Sequence, residues 1–356
     1  MTMLPPIDAK VLATAATETN RGMGRTTPTA AHQLTRVAVT TTGVVLSRSN
    51  GSLFCHSEAT ADWVRSWRKT PDPVAVPARQ LEQLLHLLDG KVTVEIFGGS
   101  WVRFSDDNGS SFELVSVEVP PEYAVYRSVA APVVMPGWSL DAARSVAFAA
   151  SEDWGRPILR SVNFDGSQVQ ATDSYRLARH TSETDHPIQG MVPAAILGLI
   201  EPDDSVWQSS DWFEWGHTGL HRRVRTGNGD FPAVGALFPD ATNRVRLPLG
   251  PLLAACKAAS AIGGYTPLEL TFKMDADAKA RCRRSGATTS RHVPCYGYDG
   301  PTMTLGFNPD YLAESAGAVV EPDGHVAVSF SDMPLRPVVF GTGPLESLVM
   351  PVRLEE

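Results

Sequence analysis

Three prolines, Pro77, Pro193 and Pro309, follow one another at intervals of 116 residues (193 − 77 and 309 − 193). Each opens a run with helical spacing. Val76-Pro77-Ala78-Arg79-Gln80-Leu81 leads into Leu84, Leu85 and Leu88. Val192-Pro193-Ala194-Ala195-Ile196-Leu197 leads into Leu199 and Ile200, and Phe307-Asn308-Pro309-Asp310-Tyr311-Leu312 opens the third. Proline suits the first turn of a helix, where its missing N–H would have no partner. Alternating segments come next, first Val92–Ile96, Trp101–Phe104 and Phe112–Val117. In the second copy Val206-Trp207, Trp212–Trp215 and Arg223–Arg225 take their place, and in the third Val326–Phe330, Val338–Phe340 and Leu348–Met350. Period-two alternation predicts half-buried strands. Upstream of each proline lies another helical stripe: Ile7, Val11, Leu12 and Ala15; Leu140, Ala143, Val146, Ala147 and Ala150; Leu249, Leu252, Leu253 and Cys256. The chain therefore reads as three helix–strands–helix–strands units, with boundaries near Ala130 and Val245.

The bulk numbers suit that division. A chain of 356 residues exceeds one ordinary core, and 43% apolar with 20% charged residues is a globular composition. No apolar run approaches a membrane span, and Met1-Thr2-Met3-Leu4-Pro5-Pro6 lacks the pattern of a secretory leader, so a cytoplasmic address is expected. Four scattered cysteines form no C-x-x-C pair; unpaired, partly buried thiols are expected, with no metal and no cofactor. A net charge of −8 argues against a surface that coats nucleic acid everywhere, while leaving room for a local basic face. The tryptophans crowded between Trp207 and Trp215 alternate along strands, which points to sheet packing rather than base stacking.

Near the middle stands Gln170-Ala171-Thr172-Asp173-Ser174-Tyr175-Arg176-Leu177-Ala178-Arg179. By itself it reads as two strands joined by an Asp-Ser corner, residues that bond their own backbone and start turns. It is preceded by Arg156-Pro157-Ile158-Leu159-Arg160-Ser161-Val162-Asn163-Phe164, and the chain closes with Leu348-Val349-Met350-Pro351-Val352-Arg353-Leu354. Together with the threefold repeat, these segments resemble the beta subunit of bacterial DNA polymerase III, the sliding-clamp family.

The resemblance implies an α+β fold of three tandem clamp domains, 1–129, 130–245 and 246–356, each with two helices packed on two small antiparallel sheets. It also implies a head-to-tail homodimer ring around duplex DNA, without catalysis, and a groove for short linear motifs of the replicative polymerase, the clamp loader and repair proteins. Matched motif by motif, Leu159, Thr172, Ser174, Tyr175, Arg176, Leu177, Pro232, Leu237, Val349, Met350, Pro351, Val352 and Arg353 would line the groove. Lys10, Arg21, Arg25, Arg79, Arg144, Arg156 and Lys257 would face phosphate, where counterion release supplies sequence-independent affinity.

Some features depart from the family pattern: Ser174-Tyr175 stands where some clamps have Gly-His, Ala236 falls where many carry Arg, residues 279–292 are unusually basic, and the opening residues match poorly. The helices meant to line the hole also hold Asp8, Glu18, Glu82, Asp141, Glu152, Asp310 and Glu314, so the lining is not plainly basic. The basic stretch 279–292 is open to two readings, a partner site or a solvated hairpin, of which the hairpin is favoured. An enzyme is the first rival, yet no P-loop, G-x-S-x-G, H-E-x-x-H or strand–GxGxxG–helix unit is present. The second rival is a clamp-like protein that binds clamp partners without encircling DNA, as a decoy or regulator.

Overall fold

A computed structural model describes residues 2–3, 6–23, 29–61, 70–97, 100–120, 131–209, 211–227, 229–263, 266–284 and 286–354. The chain divides into two compact units, one of Met1–Pro136 with Gly198–Thr226 and the other of Gly137–Leu197 with Gly227–Glu356.

The first unit holds helices α1 (Ala9–Asn20) and α2 (Ala78–Leu85), packed on each other and on two antiparallel sheets. Asp8 caps α1 by accepting a hydrogen bond from the Lys10 N–H at 3.0 Å. The core joins Leu12, Ala16, Val37, Leu46, Val76, Leu81, Val94 and Phe104. The inward face of α1 is Ala9, Leu12, Ala13, Ala15, Ala16 and Thr19. Val11, expected on that stripe, is instead 43% exposed, because the buried face is centred on Ala9, Leu12, Ala13, Ala16 and Thr19 and leaves position 11 at its margin. The larger sheet runs, in spatial order, Val133–Val134, Ser205–Gln208, Trp212–His217, Leu220–Arg225, Leu53–Thr60, Gly43–Ser49, Leu34–Val39 and Val74–Pro77. Trp215 is fully buried there and donates its indole N–H to the Leu199 carbonyl at 3.3 Å, so it is a packing residue.

Beneath the same sheet a buried arginine meets a half-buried carboxylate. Arg222, 1% exposed, reaches the Glu18 carboxylate at 2.5 Å and the Glu18 carbonyl at 3.1 Å. The Cys55 thiol also donates to that carbonyl at 3.4 Å, and burial pushes its pKa up to about 12 despite the adjacent guanidinium.

The second unit repeats the plan. Helices α3 (Gly137–Val146), α4 (Leu249–Ser260) and α5 (Pro309–Ala318) accompany an eight-stranded sheet and a four-stranded one. The eight strands are ordered Gly190–Pro193, Ser161–Asp165, Gln168–Thr172, Arg176–Thr181, Leu345–Val349, Val338–Phe340, His325–Phe330 and Asn243–Pro248. Its core gathers Leu247, Leu252, Leu270, Phe272, Phe307, Leu312, Phe330, Phe340 and Val349.

The middle repeat is therefore shared out. Its strand Leu220–Arg225 pairs with Leu53–Thr60 of the first repeat, while its strand Arg176–Thr181 pairs with Leu345–Val349 of the third. Backbone groups at a sheet edge must find partners, and here they find them on neighbouring repeats.

The repeat itself is one residue less regular than the prolines imply. Pro77 stands immediately before α2 and Pro193 immediately before the next helical turn, whereas in the third copy that place belongs to Asn308, with Pro309 inside α5. Asn308 accepts from the Asp310 and Tyr311 N–H groups, a capping role proline cannot perform. The helix expected after Pro193 is a 3₁₀ segment, Ala194–Leu199. Gly198 weakens an α-helix there, and the Arg144 guanidinium donates to the Leu197 carbonyl at 3.1–3.2 Å. The basic stretch 279–292 forms a hairpin of Ala278–Arg284 and Ala287–Val293, with Arg283 3.5 Å from Glu269.

Candidate functional site: an apolar groove beside a polar corner

Strand Gln168–Thr172 ends in a corner built almost wholly by its own side chains. Thr172 Oγ1 donates to the Arg176 carbonyl at 2.6 Å and accepts from the Ser174 N–H at 3.1 Å. Asp173 Oδ1 accepts from the N–H groups of Tyr175 and Arg176, both at 2.9 Å, and its Oδ2 accepts from Arg176 Nε at 3.0 Å. The turn places Ser174 at φ 83°, a left-handed conformation that normally favours glycine. Ser174→Gly is therefore expected to leave the corner and the thermal midpoint nearly unchanged. Ser174→Val should cost about 1–3 kcal/mol of stability, read from urea unfolding, because a β-branched side chain is most strained at this φ.

The corner sends its two largest side chains in different directions. Tyr175 projects outward, 55% exposed, with its ring 6.3 Å from that of Tyr311. Arg176 turns back, lies 4.5 Å above Tyr311 and pairs with Glu314 of α5. Burial is the chief cause that holds the Tyr311 hydroxyl above its usual pKa.

Leaving the corner, strand Arg176–Thr181 runs antiparallel to Leu345–Val349, with Leu177 opposite Leu348, and the Met350 N–H donates to the Tyr175 carbonyl at 2.8 Å. On one face of this ladder Leu177, Leu348 and Val234 form a buried cluster, with Phe231, Phe238 and Met350 packed partly exposed against it. Leu237, on the adjoining turn, is 44% exposed. Arg179 lies 3.6 Å over the Phe238 ring and is fixed to Glu346 at 2.6 Å. The result is an apolar surface, open at Met350, Leu237 and Phe238, bordered by polar groups. Such a surface can receive one or two large apolar side chains while its rim orders a peptide backbone.

The thirteen residues expected to line a groove are not all placed alike. Leu177 and Met350 stand in the apolar cluster, Thr172, Ser174, Tyr175 and Arg176 build the corner, and Leu237 and Pro232 are exposed on the segment beside it. Leu159 is half-buried, its carbonyl accepting from the Ser151 N–H. Val349 points the other way, fully buried in the third-repeat core. Pro351 is buried, Val352 bridges to Gly306, and Arg353 is exposed. Leu348, Val234, Phe231 and Phe238 belong to the cluster without having been singled out. The alternation in Leu348-Val349-Met350 was the available signal, because a strand puts positions 348 and 350 on one face.

The expected phosphate-facing groups are more committed. Arg21 pairs with Glu18 and Glu201 at 3.8 and 3.3 Å, Arg144 with Asp141 at 3.9 Å, and Arg156 with Asp153 at 3.4 Å and the Ser174 hydroxyl. Arg79 lies in the first turn of α2, Lys10 and Lys257 are exposed, and Arg25 falls outside the described residues. Several acids of the same helices are also engaged: Glu18 with Arg222, Glu82 with the Asn20 amide, Asp310 with the Ser260 hydroxyl and Glu314 with Arg176. The two arginine contacts offset the charge of Glu18 and Glu314, whereas Glu82 and Asp310 keep their full negative charge in hydrogen bonds to neutral donors.

Among solved structures, the beta chain of DNA polymerase III from Streptococcus pneumoniae superposes with a TM-score of 0.84 at 19% identity, over 98% of this chain and 99% of that one. The DNA polymerase sliding clamp from Caulobacter crescentus gives 0.85 at 17% identity, over 99% and 100%. This is the sliding-clamp fold. The fold implied by the resemblance of the Thr172–Ala178 and Val349–Leu354 motifs is thus borne out over nearly the whole chain. A sliding clamp from Bartonella birtlesii, solved bound to griselimycin, has a TM-score of 0.83 at 16% identity over 99% and 100%. Among curated proteins, the beta sliding clamp of Streptomyces coelicolor is 26% identical over 241 residues. That match spans 60% of this chain and 64% of the relative's own length. No family profile matches the chain.

Proposed function

We propose that this chain is a DNA sliding clamp, a processivity factor that encircles duplex DNA as a head-to-tail homodimer and performs no chemistry itself. In this reading it tethers a replicative polymerase, and in turn a clamp loader and repair proteins, through short linear motifs bound in the apolar groove. The observation that carries the reading is the antiparallel ladder between Arg176–Thr181 and Leu345–Val349. It brings two segments almost 170 positions apart in sequence to either side of one apolar cluster beside a self-built polar corner.

Further features support the proposal. In this reading the three repeats are three domains, 1–129, 130–245 and 246–356, as a six-domain ring of two chains requires. In the first unit the small sheet ends on strand Ser111–Val115, and in the second on Ala287–Val293, each with one side unpaired among the described residues. Such edges are ready to extend a sheet into another chain, and Val115 is largely exposed on the first of them.

The test is fluorescence polarisation with a labelled peptide of Gln-Leu-x-Leu-Phe type, joined to sedimentation of the same sample. Saturable micromolar binding by a species of twice 38.4 kDa is expected. A monomer that binds no peptide would overturn the proposal.

A further inference from the structure

The same strand pair has a second side. Leu177 and Arg179 face the groove, so Ala178 and His180 face away from it, and His180 is in register with Leu345. On that opposite side lies a cavity of ≈ 740 Å³. One wall is a stripe of α3, Trp138, Asp141, Ala142 and Ser145, at the three-to-four spacing of one helical face. The rest of the lining comes from His180, Thr181, Ser182, Glu183 and Thr184, which run on along one segment, and from Pro344 and Leu345 of the paired one. None of these residues belongs to the groove.

The chemistry of the walls is specific. Trp138, 43% exposed, offers its indole to the space and is backed by the His186 ring at 4.9 Å. His186 is 4% exposed and is held by the Ser139 hydroxyl on Nδ1 at 2.8 Å and by the Ser182 hydroxyl on Nε2 at 3.4 Å. Ser182 continues this chain to His180 Nδ1 at 3.3 Å. Burial lowers the pKa of both histidines below the ordinary imidazole value, so neither places a positive charge on the cavity at pH 7. Two carboxylates face it. Asp141 shares its charge with Arg144 at 3.9 Å, whereas Glu183 makes no ion pair among the described residues. An aromatic face, an unpaired carboxylate and several hydroxyls around a cavity of ligand size favour a flat cation that can stack and donate hydrogen bonds.

We propose that this cavity binds a planar organic cation of the amidine or guanidinium class, stacked on Trp138 with its N–H groups directed to Glu183 and the neighbouring hydroxyls. The site stands on the cavity alone and does not rest on the clamp reading. A ligand here would touch the residues that alternate with the groove-lining ones on the same strand.

The test uses the intact chain, labelled with ¹⁵N-tryptophan, titrated with benzamidine and separately with the neutral isostere benzamide in low salt. The Trp138 indole resonance, identified by its loss in Trp138→Phe, is expected to shift saturably with benzamidine. Benzamide should bind roughly tenfold more weakly. Glu183→Gln should weaken benzamidine several-fold while leaving benzamide and the melting temperature unchanged, since Glu183 is exposed. Absence of a saturable shift, equal binding of the two compounds, or indifference to Glu183→Gln would each overturn the proposal. Binding of the Gln-Leu-x-Leu-Phe peptide in the same sample reports the groove separately.

Discussion

Met350→Ala and Leu237→Ala are each expected to weaken a Gln-Leu-x-Leu-Phe peptide about tenfold or more, and the double variant to abolish measurable binding. Both side chains are partly open to solvent at the edge of the Leu177–Val234–Leu348 cluster, so an incoming Leu or Phe would bury against them. Burying one such side chain contributes about 1.5–3 kcal/mol before ordering costs, and tenfold in affinity is about 1.4 kcal/mol. The choice of residues matters. Leu177 is 1% exposed, so Leu177→Ala would cost about 2–5 kcal/mol of folding stability, and lost binding would not isolate the groove. Deleting the last seven residues carries the same ambiguity, because Val352 bridges to Gly306 and Leu354 packs over that glycine. Fluorescence polarisation of the two exposed-site variants, with melting temperatures within a few degrees of the parent, is the clean measurement. Unaltered affinity in both would mean that peptides bind elsewhere.

Glu18→Ala is expected to cost about 3–5 kcal/mol of stability, measured by urea unfolding of the whole chain. The reason lies with its partner. Arg222 is 1% exposed, cannot lose its proton, and depends on the Glu18 carboxylate and carbonyl for charge and hydrogen bonds. Removing the carboxylate leaves a buried cation without its counter-charge. The paired replacement Glu18→Leu with Arg222→Met should recover most of the loss, since an apolar pair of similar volume avoids the desolvation of both charges. A single-variant loss below about 1 kcal/mol would show that Arg222 finds water or another acceptor when Glu18 is gone.

Strong local signals reached the correct elements. The stripe Leu140, Ala143 and Val146 is the buried face of α3, and the alternation in Val326–Phe330 is a strand of the second unit's large sheet. The Thr-Asp-Ser-Tyr corner is as legible as any turn, because Thr172 and Asp173 make their hydrogen bonds within four residues. Signals weakened where an outcome depended on distant atoms. The segment after Pro193 has the apolar spacing of an α-helix but closes as a 3₁₀ segment beside an arginine from another helix. Val349 and Leu348 are equally apolar, and only the register against Leu177 decides that Leu348 joins the groove and Val349 the core.

What the sequence determined by itself is therefore the helix–strands repeat and the corner, which are set by local spacing and short-range hydrogen bonds, while the class of fold came through the resemblance its motifs carry. Tertiary structure alone decided how the middle repeat is divided, which face of the closing strand meets the groove, and that Arg222 is buried on Glu18, 204 positions away. Those outcomes depend on strand pairing across repeats, whose register decides which side chains share a face. No window of sequence contains both sides of that pairing.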